Sequence, residues 1–162
     1  RGQLIQSHRI TVSYKDEIVK VMLPILLPHR KGTYSDYIYK PLYLALKDWC
    51  QLRLEQGESL PFYEKATICF QHMYDECLPK SRIRDHDNVE EKQVVDALGM
   101  FFLQSDGGLF LNTYHVTLIS NQDRTVLFLM PQEWFPSWLQ KENRGTDISK
   151  KSAVVSAENS TG

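Results

Sequence analysis

Apolar and polar positions change period along this chain, and the changes divide it into elements. Residues 10–14 and 18–23 alternate or are rich in β-branched side chains, with Lys15, Asp16 and Glu17 between them, which predicts an opening hairpin. Residues 28–35 carry Pro, Gly and three basic side chains and read as an exposed loop. From Ser35 or Asp36, either a good N-cap, the spacing of Ile38, Leu42, Leu46, Trp49 and Leu52 predicts an amphipathic helix that Gly57 ends. Residues 65–74 read as a strand, with Ala66, Ile68, Phe70 and His72 on one face and Thr67, Cys69, Gln71 and Met73 on the other. A polar loop follows, then a helix over residues 88–103 that buries Val95, Leu98 and Phe102 and sets Lys92 and Asp96 on its other side. Ser105, Asp106, Gly107 and Gly108 form a turn. Residues 114–119 and 125–130 read as the two strands of a closing hairpin. Residues 131–141 predict a short helix whose Trp134, Phe135, Trp138 and Leu139 cover a sheet face or a partner.

The alternation of strands and helices over 162 residues fits one domain of α/β or α+β class spanning residues 1–141. Residues 142–162 are rich in Ser, Lys and Glu, have too little apolar surface to offset their ordering entropy, and are expected to be a disordered tail. No apolar run approaches the roughly 18 residues of a membrane span, and residues 1–9 lack the apolar stretch of a secretory signal. The three cysteines, Cys50, Cys69 and Cys77, are odd in number and lie in or beside apolar segments, which suits a reducing cytoplasm. Cys69, His72 and Cys77 have the wrong spacing for a common structural zinc site.

Bulk charge does not announce nucleic acid. The 19 Lys and Arg against 20 Asp and Glu leave a formal charge of −1, so any phosphate binding must rest on local clusters. Two such clusters exist: His29, Arg30 and Lys31 in the first loop, and Lys80, Arg82 and Arg84 before the second helix. The second cluster runs into Asp85-His86-Asp87-Asn88. Side chains two apart in an extended segment point the same way, so Asp85 and Asp87 can converge on one hard cation. Asn88 can cap the following helix, from which Lys92 projects an ammonium toward the same mouth. Two carboxylates to fix an ion and a cation to face phosphate are what phosphodiester hydrolysis requires. The same residues also make ordinary turn and cap chemistry, and alone they favour that plainer role. His72 and His115, on strands, read as packed or solvent-facing residues; Trp134 and Trp138 read as packing residues.

The larger order of elements, with Asp85-His86-Asp87-Asn88 and then Lys92-Gln93-Val94-Val95-Asp96-Ala97-Leu98, resembles the RusA family of Holliday-junction resolvases over residues 20–130. That family carries Asp-x-Asp-Asn at its metal site and a Lys, three residues, then Asp-Ala-Leu in the same register. The stretch from Pro28 to Tyr34 and Ser35 is similar to its basic loop. The resemblance implies a small mixed β-sheet with two main helices packed on it, in a homodimer that nicks opposed strands of four-way junctions. It implies magnesium or manganese held by Asp85, Asp87 and Asp106, with Lys92 facing the scissile phosphate. Asn88 and Asp96 would support these residues, and His29, Arg30, Lys31, Arg82 and Arg84 would contact DNA. The chain departs from the family in one extra residue between Asn88 and Lys92. It also has Gly107 where the family has a second acid. A branched-DNA binder of a mobile element that keeps the fold without cutting is the rival expectation, and a scaffold recruiting a partner through the aromatic C-terminal segment is a third.

Overall fold

A computed structural model of the protein describes residues 6–28, 37–83, 90–104, 110–146 and 154–156. They form a mixed six-stranded sheet with helices on both faces. The elements are β1 (Thr11–Lys15), β2 (Ile18–Leu23), α1 (Tyr39–Glu55), β3 (Ala66–Asp75), α2 (Lys92–Phe102), β4 (Leu111–Ser120), β5 (Arg124–Pro131), α3 (Phe135–Thr146) and β6 (Val154–Ser156). Strand order is β1-β2-β5-β3-β4-β6, with β3 and β4 parallel and the other neighbours antiparallel. No helix among the described residues is long and apolar enough to cross a membrane.

The opening hairpin forms as the alternation predicts. Asp16 and Glu17 turn it with φ of 53° and 65°, the left-handed backbone that a two-residue hairpin link needs to match strand twist. The expected closing hairpin does not form. β4 and β5 flank β3 instead of pairing with each other, and residues 121–123 cross the end of β3. A short link suggests neighbours, but its reach exceeds the roughly 10 Å of two strand spacings. The position between them goes to β3, whose near-continuous burial suits a strand covered on both sides.

The two faces of β3 are those the sequence assigns. Ala66, Ile68 and Phe70 join the main core under α1 and α2, with Leu42, Leu46, Leu98 and Phe102. Cys69 lies on the other face with Tyr114, Val116, Leu118, Met130 and Trp138. There α3 covers the sheet through Trp138, Phe135 and Leu139, so this aromatic segment packs within the chain. The last turns of α3 and the strand β6 lie within residues 142–162, which composition reads as a tail; residues 147–153 and 157–162 lie outside the described ones.

α1 closes as expected. Gly57 takes φ +80° and the Glu58 amide returns to the Arg53 carbonyl. Its start is less ordinary. Ser35 and Asp36 lie outside the described residues, the N-cap position is Ile38, and that residue supplies no side-chain cap. The cap comes from α2, where the buried Gln93 Oε1 accepts from the amides of Ile38 at 3.0 Å and Tyr39 at 2.8 Å. One side-chain oxygen thus satisfies two of the four amides that a helix start leaves without partners. Gln93→Leu should therefore cost about 2–4 kcal/mol, since each buried amide left without a partner carries its full desolvation penalty. Urea unfolding measures it, and Gln93→Glu, which keeps the acceptor, should lose less.

Candidate active site

The site is built at the N-terminus of α2, where three chain segments meet. The Glu90 amide donates to the Pro28 carbonyl at 2.8 Å, so the chain enters the basic loop from beside Glu90. It leaves that loop at Ile38 and Tyr39, which are held by Gln93. Pro28 and Ile38, the described residues on either side of this stretch, are therefore anchored within four residues of one helix start.

Lys92 is the first residue of α2, not one turn inside it as a helix beginning at Asn88 would place it. Its ammonium donates to both carboxylate oxygens of Asp96, at 3.2 and 3.0 Å, and its side chain is 75% exposed. An exposed pair of this kind adds little stability. The pair spans one helical turn.

Arg82, a proposed DNA contact, is engaged within the chain. Its guanidinium forms a forked pair with Asp123 at 3.1 and 2.6 Å and lies 5.4 Å from the Tyr74 ring centroid. Asp123 also accepts from the Asp75 amide, so Arg82 ties the segment after β3 to the link between β4 and β5. The Asp123 carboxylate raises the Arg82 pKa further, keeping it charged. Replacing Arg82 would thus disturb the fold as well as any DNA contact.

A second feature of this end was not foreseen as functional. His115 and His72 are buried, as a packing role requires, but they form a hydrogen-bonded chain. His115 Nε2 lies 2.6 Å from Glu91 Oε1, and His115 Nδ1 lies 2.8 Å from His72 Nε2. Phe70 stacks on the His115 ring at 4.4 Å between centroids, with an interplanar angle of 9°. The sequence held one signal for this, because His72 shares the core-facing side of its strand with Ile68 and Phe70. A polar ring there needs a partner.

The residues proposed for metal, Asp85, Asp87 and Asp106, lie outside the described ones, as do the proposed DNA contacts His29, Arg30, Lys31 and Arg84 and the supporting Asn88. No group of three or more His, Cys, Asp or Glu among the described residues could hold a metal ion. The flanks of the proposed acids are informative nonetheless. Residues 84–89 precede α2, whereas residues 105–109 follow it. Leu103 and Gln104 join Tyr63 at the start of β3, and Phe110 bonds to Ala66. Eleven residues of helix separate the two ends by about 16 Å.

A search of the curated proteins finds no match to this chain. A family model described as a family of unknown function, DUF6100, matches residues 1–152. With nearly its whole length covered, the chain belongs to the DUF6100 family.

Proposed function

We propose that this protein is a metal-dependent, structure-selective endodeoxyribonuclease that cuts Holliday junctions or other branched DNA in recombination or repair, as a cytoplasmic homodimer. The observation that carries the reading is that the residues flanking the basic stretch 29–36 bond to Glu90 and Gln93, at the helix start that carries the exposed Lys92. The described flanks of residues 29–36, Pro28 on one side and Ile38 and Tyr39 on the other, thus bond to the start of α2, where Lys92 is exposed. Cation and carboxylate segments at one helix start suit a phosphodiester approached from outside. The order and spacing of residues 85–98, which resemble the RusA family, support the same chemistry.

In this reading Asp85 and Asp87, with Asp106, would hold magnesium or manganese. When bound, such an ion supplies neutralisation of the phosphate and lowers the pKa of a coordinated water. Lys92, steadied by Asp96, stabilises negative charge gathering on the phosphate oxygens. Arg84 and the basic loop hold the backbone of the DNA without reading its bases. Two copies of the site are needed to nick opposed strands symmetrically, which is the reason for a homodimer.

One observation favours a second reading, in which the chain binds branched DNA without cutting it, as a mobile-element protein that keeps the fold. The sequence has Gly107 where the RusA family has a second acid, which leaves the proposed ligand set one carboxylate short. A labelled four-way junction incubated with the protein and magnesium separates the two. Paired nicks across the junction support the nuclease. A gel shift without product supports the binder, and neither result leaves both readings without a basis.

A further inference from the structure

Glu91 occupies the N-cap position of α2 yet makes no side-chain cap bond to its own helix. Glu is not among the side chains favoured at that position, so no cap is lost. Its carboxylate is instead turned onto His115, at the helix start that carries the exposed Lys92. The side chain is 33% exposed while His115 is fully buried, so Glu91 presents a carboxylate to solvent from a rigid, enclosed support.

The chain of bonds behind it has a direction. An ionised carboxylate only accepts, so His115 Nε2 carries the proton in that bond. A neutral His115 then has a bare Nδ1, which accepts from His72 Nε2–H. Phe70 stacks on both rings, at 4.4 Å from His115 and 6.1 Å from His72, and prevents them from tipping. Two imidazoles in a core are costly unless their hydrogen bonds are made, and this arrangement makes them while aiming one carboxylate outward. Glu91 also stands at the same end of α2 as the exposed Lys92, the cation proposed to face phosphate.

We infer that Glu91 is the general base of this site, with His115 and His72 as positioning residues that hold its carboxylate toward the attacking water. This rests on the endonuclease reading and names a residue that the resemblance does not. In the step it serves, a water oxygen forms the new bond to phosphorus and one proton of that water passes to Glu91. The bond from phosphorus to the leaving deoxyribose oxygen breaks, and that oxygen takes a proton from solvent. Glu91 then returns its proton to solvent, so the net change is hydrolysis of one phosphodiester.

The test uses the full chain, a labelled four-way junction and magnesium, in single turnovers. Glu91→Gln keeps the shape and the oxygen that accepts from His115 but cannot take the proton, so cleavage should slow by about a hundredfold or more with junction affinity unchanged. His72→Leu removes the donor behind His115 and should slow cleavage by about tenfold, again without a change in affinity. His72→Gln returns an N–H at that place and should restore most of the rate, which a purely packing role for His72 does not predict. Nitrogen-15 spectra of the histidines supply a readout besides activity: His115 should show a protonated Nε2 and a bare Nδ1. Cleavage by Glu91→Gln at the wild-type rate overturns this inference while leaving the endonuclease in place. A protonated Nδ1 on His115 overturns the chain of bonds, and wild-type cleavage by His72→Leu overturns its positioning role. A wild-type protein that cuts no junction overturns the inference together with the function on which it rests.

Discussion

Asp87→Asn should abolish magnesium-dependent junction cleavage while leaving the metal-free protein at least as stable as the wild type. If Asp85 and Asp87 share a cation, their charges repel when the cation is absent, and folding must hold them together against that repulsion. Removing one charge relieves it. The same change takes away an anionic oxygen ligand of a hard cation, so manganese affinity measured by calorimetry should fall with activity. A turn or cap role for Asp87 predicts a different result, because Asn accepts from backbone amides almost as well and neither affinity nor cleavage would move. Cleavage that persists in Asp87→Asn at the wild-type rate removes this residue from the site. Loss of cleavage with unaltered manganese binding would place Asp87 against DNA instead of metal.

Phe70→Ala is expected to cost about 3–5 kcal/mol, as large-to-small changes at fully buried aromatic positions do. Phe70 is fully buried in the main core and lies against both imidazoles. The cavity would open beneath the His72–His115 pair, so the loss combines missing contacts with a loosened polar chain. Domains of this size hold only about 5–15 kcal/mol in total, so the variant should unfold at a much lower urea concentration. Phe70→Leu, which fills part of the space, should lose less. A cost below about 1 kcal/mol for Phe70→Ala would mean that the core relaxes around the stack and that Phe70 does not fix the imidazoles.

The elements of this fold were legible wherever a local period carries them. The two faces of β3, the hairpin turn at Asp16 and Glu17, and the stop of α1 at Gly57 follow from alternation, turn chemistry and the freedom of glycine. The partnering of strands was not legible. Nothing in residues 121–123 says that the chain will step over β3, because the rival for that position lies some fifty residues earlier. Helix starts failed for a similar reason. The cap of α1 is Gln93, 55 residues from Ile38, and a search for local Ser, Asp or Asn points to Ser35 and Asp36. In α2 the buried stripe runs through Val94, Ala97, Leu98 and Phe102, with Val95 only partly covered, a rotation of about one residue from the expected stripe.

For the site, the sequence singled out Lys92 and Asp96, and their ion pair is formed. It could not single out Glu91. A Glu-Glu-Lys run at a helix start is common solvated chemistry, and its meaning here comes from His115, which the sheet brings to it across 24 residues. Arg82 shows the reverse case. Its place in a basic run suggested DNA, and its structural tie to Asp123, 41 residues away, is invisible to a reading of neighbours.

The shared cap at Gln93 also bears on how this end of the molecule opens and closes. Among the described residues, the amides of Ile38 and Tyr39 are satisfied by Gln93 of α2, so their protection depends on α2 being docked. The Glu90 bond to Pro28 closes the other side of the same arrangement. The amides of Glu90, Ile38 and Tyr39 therefore exchange with solvent as one unit governed by α2, although Pro28 and Ile38, which these bonds tie down, are ten residues apart in the chain. Whatever binds and orders the start of α2 will slow hydrogen exchange at Ile38 and Tyr39 without touching them. Whatever frays it will release the loop at both ends together.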